Sequence, residues 1–148
     1  MSALIENKKV RLEYELIDTY EAGIELRGFE VKALRAGKAS LVGAHVVVRG
    51  GECYLVGATI SPYQEKNTPT SYDPERTRRL LLGKKELLEL EGVDSAKGLT
   101  IVPIMVYNKG SFLKLSIATA RKKKKYDKRE SMKERDEKRR IDRTLKNQ

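Results

Sequence analysis

Along most of the chain the apolar residues recur with a period of two, the signature of half-buried strands. Leu12, Tyr14 and Leu16 alternate with Glu13, Glu15 and Ile17. Further on, Ile24-Glu25-Leu26-Arg27 is followed by Gly28 and then Phe29-Glu30-Val31-Lys32-Ala33. The apolar set moves from even to odd positions across Gly28. An unbroken strand would turn the second set to the wrong face, so the pattern predicts a bulge or kink at Gly28 in a strongly bent strand. Val46-Val47-Val48-Arg49 and Cys53-Tyr54-Leu55-Val56 flank Gly50-Gly51, a pair suited to a tight hairpin. A last pairing is predicted between the apolar run Leu99 to Tyr107 and the alternating run Phe112 to Ala118, joined through Asn108-Lys109-Gly110. Pro103 has no N–H to give to a ladder, which places it at an edge or a bulge.

Helical signals are sparse. Gly83 to Gly92 encloses good helix formers, with Leu87, Leu88 and Leu90 available for burial. Asp73-Pro74 suits an N-cap with proline at the first helical position and predicts a short turn through Arg76–Leu82. Residues 61–72 are polar with two prolines and read as a long, functional or mobile loop. About six short strands with one late helix predict a mainly β fold, an OB-fold-like closed antiparallel β-barrel with short flanking helices. Periodicity alone leaves a β-sandwich nearly as favoured. No internal repeat is present.

The end of the chain differs in kind. From Tyr126 its aliphatic and methionine residues are Met132, Ile141 and Leu145, and Met132 and Ile141 fall on opposite sides of a helix. No apolar stripe offers itself to a body. Glu134/Lys138, Asp136/Arg140 and Asp142/Lys146 are nevertheless acid-first i,i+4 pairs, each worth about 0.2–0.5 kcal/mol, in a stretch without Gly or Pro. Helix nucleation is costly, so such a segment is expected to be largely disordered when free and helical in a groove walled by RNA. The expected organisation is a barrel domain over residues 1–120 and a basic tail over 121–148.

Charge sharpens that division. The 148 residues hold 31 Lys+Arg against 21 Asp+Glu, a net charge of +10. Residues 121–148 alone hold 14 Lys/Arg against 6 Asp/Glu, a net of +8, which leaves +2 on residues 1–120. The run Arg121-Lys122-Lys123-Lys124-Lys125 and the basic residues beyond it form a ribbon able to follow phosphates and release counterions. Tyr126 beside it is placed to stack on a base. On the body, Asn7-Lys8-Lys9-Val10-Arg11 precedes the first alternating run, and Lys32, Arg35 and Lys38 surround the second. Each cluster alone is ordinary protein surface; together Asn7, Lys8, Lys32, Arg35 and Lys38 are expected to line one RNA-binding face.

Other chemistry is thinly represented. One cysteine, Cys53, and one histidine, His45, leave no internal disulfide, thiolate zinc site or catalytic triad, and each reads better as a core residue and a barrel-rim residue, respectively. Glu21 and Glu30 have no nucleophile or metal cluster to complete a paired-carboxylate mechanism. No glycine-rich phosphate loop occurs in a suitable context. Neither a membrane-length apolar run nor a leader pattern is found, so a reducing, cytoplasmic setting is expected. The expected protein is not an enzyme, needs no cofactor or metal, and binds RNA rather than DNA or membrane.

Specific segments then carry a resemblance. Asn7-Lys8, Tyr20-Glu21-Ala22-Gly23-Ile24, Gly28-Phe29-Glu30-Val31-Lys32-Ala33-Leu34-Arg35-Ala36-Gly37-Lys38, Arg76-Thr77-Arg78-Arg79-Leu80-Leu81-Leu82 and Asp127-Lys128-Arg129 occur in this order. From about Asn7 to Lys146 the chain resembles the SmpB family, the SsrA-binding proteins of bacterial trans-translation. That resemblance implies an OB-fold barrel binding the tRNA-like domain of tmRNA and delivering alanyl-tmRNA, in a complex with elongation factor Tu, to ribosomes stalled without a usable codon. It implies RNA contacts at Glu21, Leu81 and Lys114, with Asn7 and Lys8 near that surface. It also implies a tail that meets 16S rRNA near the decoding centre and enters the empty mRNA channel as a helix. Arg121, Lys123, Lys124, Tyr126, Asp127, Lys128, Arg129, Leu145 and Lys146 are its candidate contacts. The chain departs from the family pattern at Tyr126, where many relatives have histidine, and at Thr144-Leu145, often Ile-Met. Ala120-Arg121-Lys122-Lys123-Lys124 replaces an Ala-Lys-Gly-Lys-Lys hinge. The alternative reading is a structural ribosomal protein with a basic extension in rRNA.

Overall fold

The computed structural model describes residues 3–124 apart from 65, 67 and 95–97. The stretch expected to form the tail, including Tyr126, Asp127, Lys128, Arg129, Leu145 and Lys146, lies outside the described residues.

Among the described residues, nine strands and three helices follow in the order β1 (Ala3–Glu6), α1 (Lys8–Glu13), β2 (Tyr14–Ile24), α2 (Gly28–Arg35), β3 (Ala39–Ser40), β4 (His45–Arg49), β5 (Glu52–Val56), β6 (Thr59–Ile60), β7 (Arg78–Leu81), α3 (Lys84–Asp94), β8 (Thr100–Lys109) and β9 (Phe112–Lys122). The main sheet runs β1-β8-β4-β5-β7-β2-β9, and β8 also pairs with β9. Six strands therefore close into a ring, with β1 added alongside β8. Closure removes the free edges that a sandwich would leave, and the fold is the mainly β, OB-like arrangement that the alternation predicted.

The ring exists because nearly every strand position of one parity is apolar, Arg78 on β7 being the charged exception. Val46 and Val48, Cys53 and Leu55, Leu80, Ala22, Ile101 and Val106, and Leu113, Leu115 and Ile117 all turn inward and form one buried cluster. Most of their alternate neighbours face out, while Val102 and Ala120 pack with Val10 of α1 in a second buried cluster. Gly50 and Gly51, with φ of 57° and 75°, join β4 to β5 in the both-positive geometry of a tight hairpin. Pro103 sits where the β8–β9 register shifts, between Pro103 and Met105, and this break accommodates its missing donor. β2 is likewise interrupted between Leu16 and Thr19, where the Asp18 amide donates to Thr119 Oγ1 at 3.0 Å. Cys53 is fully buried and His45 opens β4 at the surface, as their sequence setting implied.

Four local expectations are corrected. Leu12 and Glu13 belong to α1, so the first long strand begins only at Tyr14. Gly28 is not a bulge within a strand; it begins α2, whose buried residues Glu30, Ala33 and Leu34 follow helical spacing. Arg76–Leu82 is not a helical turn. Asp73-Pro74 does make a turn, with the Arg76 amide donating to the Asp73 carbonyl at 3.1 Å, but the chain then extends into β7. Gly92 does not end the late helix, which continues to Asp94. In addition, β9 carries Arg121 and Lys122 opposite Glu15 and Tyr14, and the Lys123 amide donates to the Glu13 carbonyl at 2.8 Å. The boundary expected after Ala120 thus falls inside a paired strand.

Candidate nucleic-acid interface

Two clusters on α2 and the ring decide what this surface can do. The first is internal. Glu30 is fully buried near the start of α2, and its Oε1 accepts from the Arg27 amide at 2.8 Å, satisfying one of the helix's orphan donors. Arg76 forms a short charge-assisted contact with the same oxygen and a second bond to Oε2 at 3.1 Å. Arg78 lies wholly inside, with Nε 2.9 Å from Glu30 Oε2. Its remaining donors reach the carbonyls of Ala58, Arg76 and Pro74, each at 2.9 Å, and the Tyr72 hydroxyl at 3.1 Å. That hydroxyl bridges to the Ile60 carbonyl and to Glu30, and the Tyr72 ring meets Phe29 edge-on at 4.7 Å. Burial alone would raise the Glu30 pKa. The bonds from Arg76, the Arg27 amide and Arg78 instead bring it to about 2. The cluster fastens α2, β6 and β7 together and anchors the return of the loop over residues 61–72.

The second cluster lies on the outer face. Leu81 on β7 pairs with Gly23 on β2, Gly23 pairs with Lys114 on β9, and Lys114 pairs with Tyr107 on β8. Leu81, Gly23 and Lys114 thus form one row across three strands, with Glu21 two residues along β2 on the same face. Gly23 permits the close approach: a Cβ there would stand 3.3 Å from Leu81 Cβ and 3.6 Å from its Cδ1, so the leucine would have to give way. Leu81 is 47% exposed, large for an apolar side chain. Glu21 accepts from the Tyr107 hydroxyl at 2.5 Å and from Lys109 Nζ at 2.9 Å. These two bonds, the Tyr107 one foremost, hold the Glu21 carboxyl below its ordinary range, with the Lys114 charge adding to the effect. Burial and the same carboxylate push the Tyr107 phenol up to about 12. The strip therefore presents a fixed anion, a cation and an exposed apolar side chain in register. A carboxylate can accept from a base's exocyclic amine, and a lysine can contact phosphate.

The remaining expected residues are distributed differently. Asn7 is only 3% exposed, and its amide donates to the carbonyls of Leu41 and Pro103, both at 3.2 Å. Its side chain is a buried joint between β1, α1 and β8, so it places Lys8 rather than reaching outward itself. Lys8 joins Arg11 along a cleft of about 260 Å³ that Glu6, Asn7, Leu12 and Ile104 complete. Lys32, Arg35 and Lys38 are all exposed on or just after α2. Arg35 Nη2 donates to the Ser111 carbonyl at 3.3 Å, bringing α2 to the tip of the β8–β9 hairpin. Lys38 Nζ stands 5.5 Å from the centre of the Tyr63 ring, a cation–π contact away from the strip. Arg121, Lys123 and Lys124 leave the end of β9 with at least part of their surface exposed.

Gly23, Tyr107 and Lys109 were not among the residues expected here. The sequence signal for Gly23 was its position inside an alternating segment, where a glycine marks close approach of another chain or ligand. Tyr107 and Lys109 gave none, because only the β2–β9–β8 register brings them to Glu21. Glu21 and Glu30 share no site. Among the described residues no group of three metal-ligating side chains is found, and no helix is long and apolar enough to cross a membrane.

Comparisons with known proteins bear on the family and the fold. The sequence model of the family described as SmpB protein matches residues 4–147. An SsrA-binding protein of Chlorobaculum tepidum is 49% identical over 138 residues, covering 93% of this chain and 87% of that one. One from Microcystis aeruginosa is 46% identical over 143 residues, 97% of this chain and 93% of its own. A solved structure described as "tmRNA-SmpB: a journey to the center of the bacterial ribosome" superposes with a TM-score of 0.68 at 42% identity, covering 86% of this chain and 93% of that chain.

Proposed function

The chain belongs to the SmpB family, and on that premise we propose that it is an RNA-binding adaptor of trans-translation rather than an enzyme. Its ring binds the tRNA-like domain of tmRNA, and the complex, with elongation factor Tu, delivers alanyl-tmRNA to ribosomes stalled without a usable codon. This takes place in the bacterial cytoplasm. The outcome is ribosome rescue and tagging of the nascent chain for degradation.

The observation that carries this reading is the Leu81–Gly23–Lys114 row with Glu21 beside it. Strand register brings together there Glu21, Leu81 and Lys114, the residues that the family resemblance marks for RNA contact, around Gly23. Lys8, Lys32, Arg35 and Lys38 supply further positive charge around the body, with Asn7 holding Lys8 in place. Because residues 1–120 carry a net charge of only +2, affinity there rests on placed side chains more than on bulk charge. The second binding problem belongs to residues 121–148. Their basic residues, with Arg121, Lys123, Lys124, Tyr126, Asp127, Lys128, Arg129, Leu145 and Lys146 as contacts, engage 16S rRNA near the decoding centre and the vacant mRNA channel.

A gel shift with the tRNA-like domain against a generic RNA hairpin, across a salt series, tests the first part. Preference for the tRNA-like RNA at every salt concentration is expected, and equal affinities would overturn it. Removing residues from Lys125 onward is expected to preserve tmRNA affinity and abolish tagging on stalled ribosomes. A structural ribosomal protein would instead remain on all ribosomes after a high-salt wash.

A further inference from the structure

At the tip of the β8–β9 hairpin stands a side chain that the interface described so far does not use. Phe112 is 70% exposed, more than any other large apolar residue among those described. Its position is fixed: it pairs with Lys109 as the last rung before the two-residue turn Gly110-Ser111. Strand parity puts it on the outer face with Lys114, since Leu113 and Leu115 point into the ring. Three cations surround this tip. Lys109 is held to Glu21 at 2.9 Å, Arg35 reaches the Ser111 carbonyl at 3.3 Å, and Lys114 follows two residues along β9.

A phenyl ring fixed on a hairpin and left in water costs hydrophobic free energy unless something covers it. A ring of cations is a poor surround for an apolar protein partner and a good one for a polyanion. Aromatic faces set among basic side chains are how single-stranded nucleic acid is held, because every base offers a π face while the cations follow the backbone. Resting on the functional reading above, we infer that Phe112 is a stacking platform for an unpaired base of the bound RNA, extending the Leu81–Gly23–Lys114 row to the hairpin tip. Arg35 and Lys109 then hold the phosphates on either side of that base, which explains why the end of α2 is tied to Ser111.

The test uses the full chain and the tRNA-like domain of tmRNA transcribed in vitro. Phe112→Ala is expected to weaken binding about five- to hundredfold, the range of one lost base stack, with an unchanged melting temperature because the ring is exposed. Phe112→Leu, which keeps apolar area without a π face, is expected not to restore binding. Phe112→Trp is expected to restore it, with indole fluorescence quenched as RNA is added. The slope of log affinity against log salt should be unaltered in Phe112→Ala and about one unit shallower in Lys114→Ala. The inference is overturned if Phe112→Ala binds as wild type, if Phe112→Leu rescues, if the melting temperature falls, or if only ribosome association is lost. Lys114→Ala, measured alongside, separates the two levels. Weakened binding there with none at Phe112 sinks the platform alone, whereas no preference of the wild type for the tRNA-like RNA sinks the functional reading.

Discussion

Two glutamates in this molecule keep nearly the same company and do opposite work. Glu21 and Glu30 each accept from a tyrosine hydroxyl and from basic side chains, and each carboxyl is held below its ordinary range. Glu30 is sealed inside, and its partners are themselves saturated: Arg78 places all its donors within the protein. Glu21 stands at the surface, where Tyr107 and Lys109 fix its direction but leave it open to solvent on one side. Carboxylate chemistry does not separate the two. Burial and the completeness of the hydrogen bonding do: they make Glu30 a structural joint and leave Glu21 a preorganised carboxylate open to a partner.

The largest effect is expected where the internal joint is broken. Arg78→Ala leaves Arg76 as the one cation bonded to the buried Glu30 carboxylate and takes the Arg78 donors from the carbonyls of Ala58 and Arg76. Removing one partner of a buried pair costs about 3–5 kcal/mol. The variant is therefore expected to melt many degrees lower, or without cooperativity, in a circular-dichroism scan. A melt within a degree or two of wild type would remove the contrast on which this comparison rests.

Acid provides the next test. Glu30 has a lowered folded pKa of about 2, so it contributes stability that is fully present above the unfolded value near 4.3 and is lost as pH falls toward 2. The contribution is on the order of 3 kcal/mol by linkage. Urea titrations at a series of pH values should show stability falling steeply through that window. Glu30→Gln should be less stable at neutral pH and flatter on the acid side, and a slope like wild type would assign the acid loss to other carboxylates.

Why some elements were legible in the sequence and others were not follows from particular residues. Hairpins and long strands were readable because Val46, Val48, Leu113, Leu115 and Ile117 are apolar where the ring needs them and Gly50-Gly51 is a turn by composition. β7 was missed because its first inward position is Arg78: the strand alternates buried and exposed perfectly, but its burial pattern begins with a charge. α2 was missed for a related reason. Buried Glu30 removes an apolar mark from the helical face, and Phe29, Val31 and Ala33 then mimic a strand over so short a run. A charge is buried only when its partner is nearby in space, and that proximity is not written locally. The candidate interface was half legible. Glu21, Leu81 and Lys114 could be marked through resemblance, whereas Tyr107, Lys109 and Gly23 acquire meaning only through strand register.

On the surface side, Lys114→Ala is expected to weaken binding of the tRNA-like RNA by about tenfold, the scale of a charged hydrogen bond, while the protein still melts cooperatively at the wild-type temperature. An altered melt would make Lys114 part of the scaffold and erase the distinction from Arg78.

The smallest effect, and the most diagnostic, belongs to Tyr107→Phe. The substitution removes one oxygen and leaves the ring in its buried place, so stability should change by about 1 kcal/mol or less. RNA affinity at neutral pH should fall only severalfold, because Lys109 still holds Glu21 from one side. The pH profile is where the hydroxyl reveals its role. In the proposed function Glu21 meets RNA as a carboxylate; its pKa is lowered chiefly by Tyr107, and affinity that needs the ionised form is present above that pKa and lost below it. Without the hydroxyl the pKa rises toward the ordinary glutamate value, so the acid loss of RNA binding should begin at a higher pH than in wild type. Glu21→Gln should lack that acid step altogether. A side chain that merely filled space would leave the acid midpoint in place, and an unshifted midpoint in Tyr107→Phe would show that the surface carboxylate is not preorganised by its tyrosine in the way the buried one is.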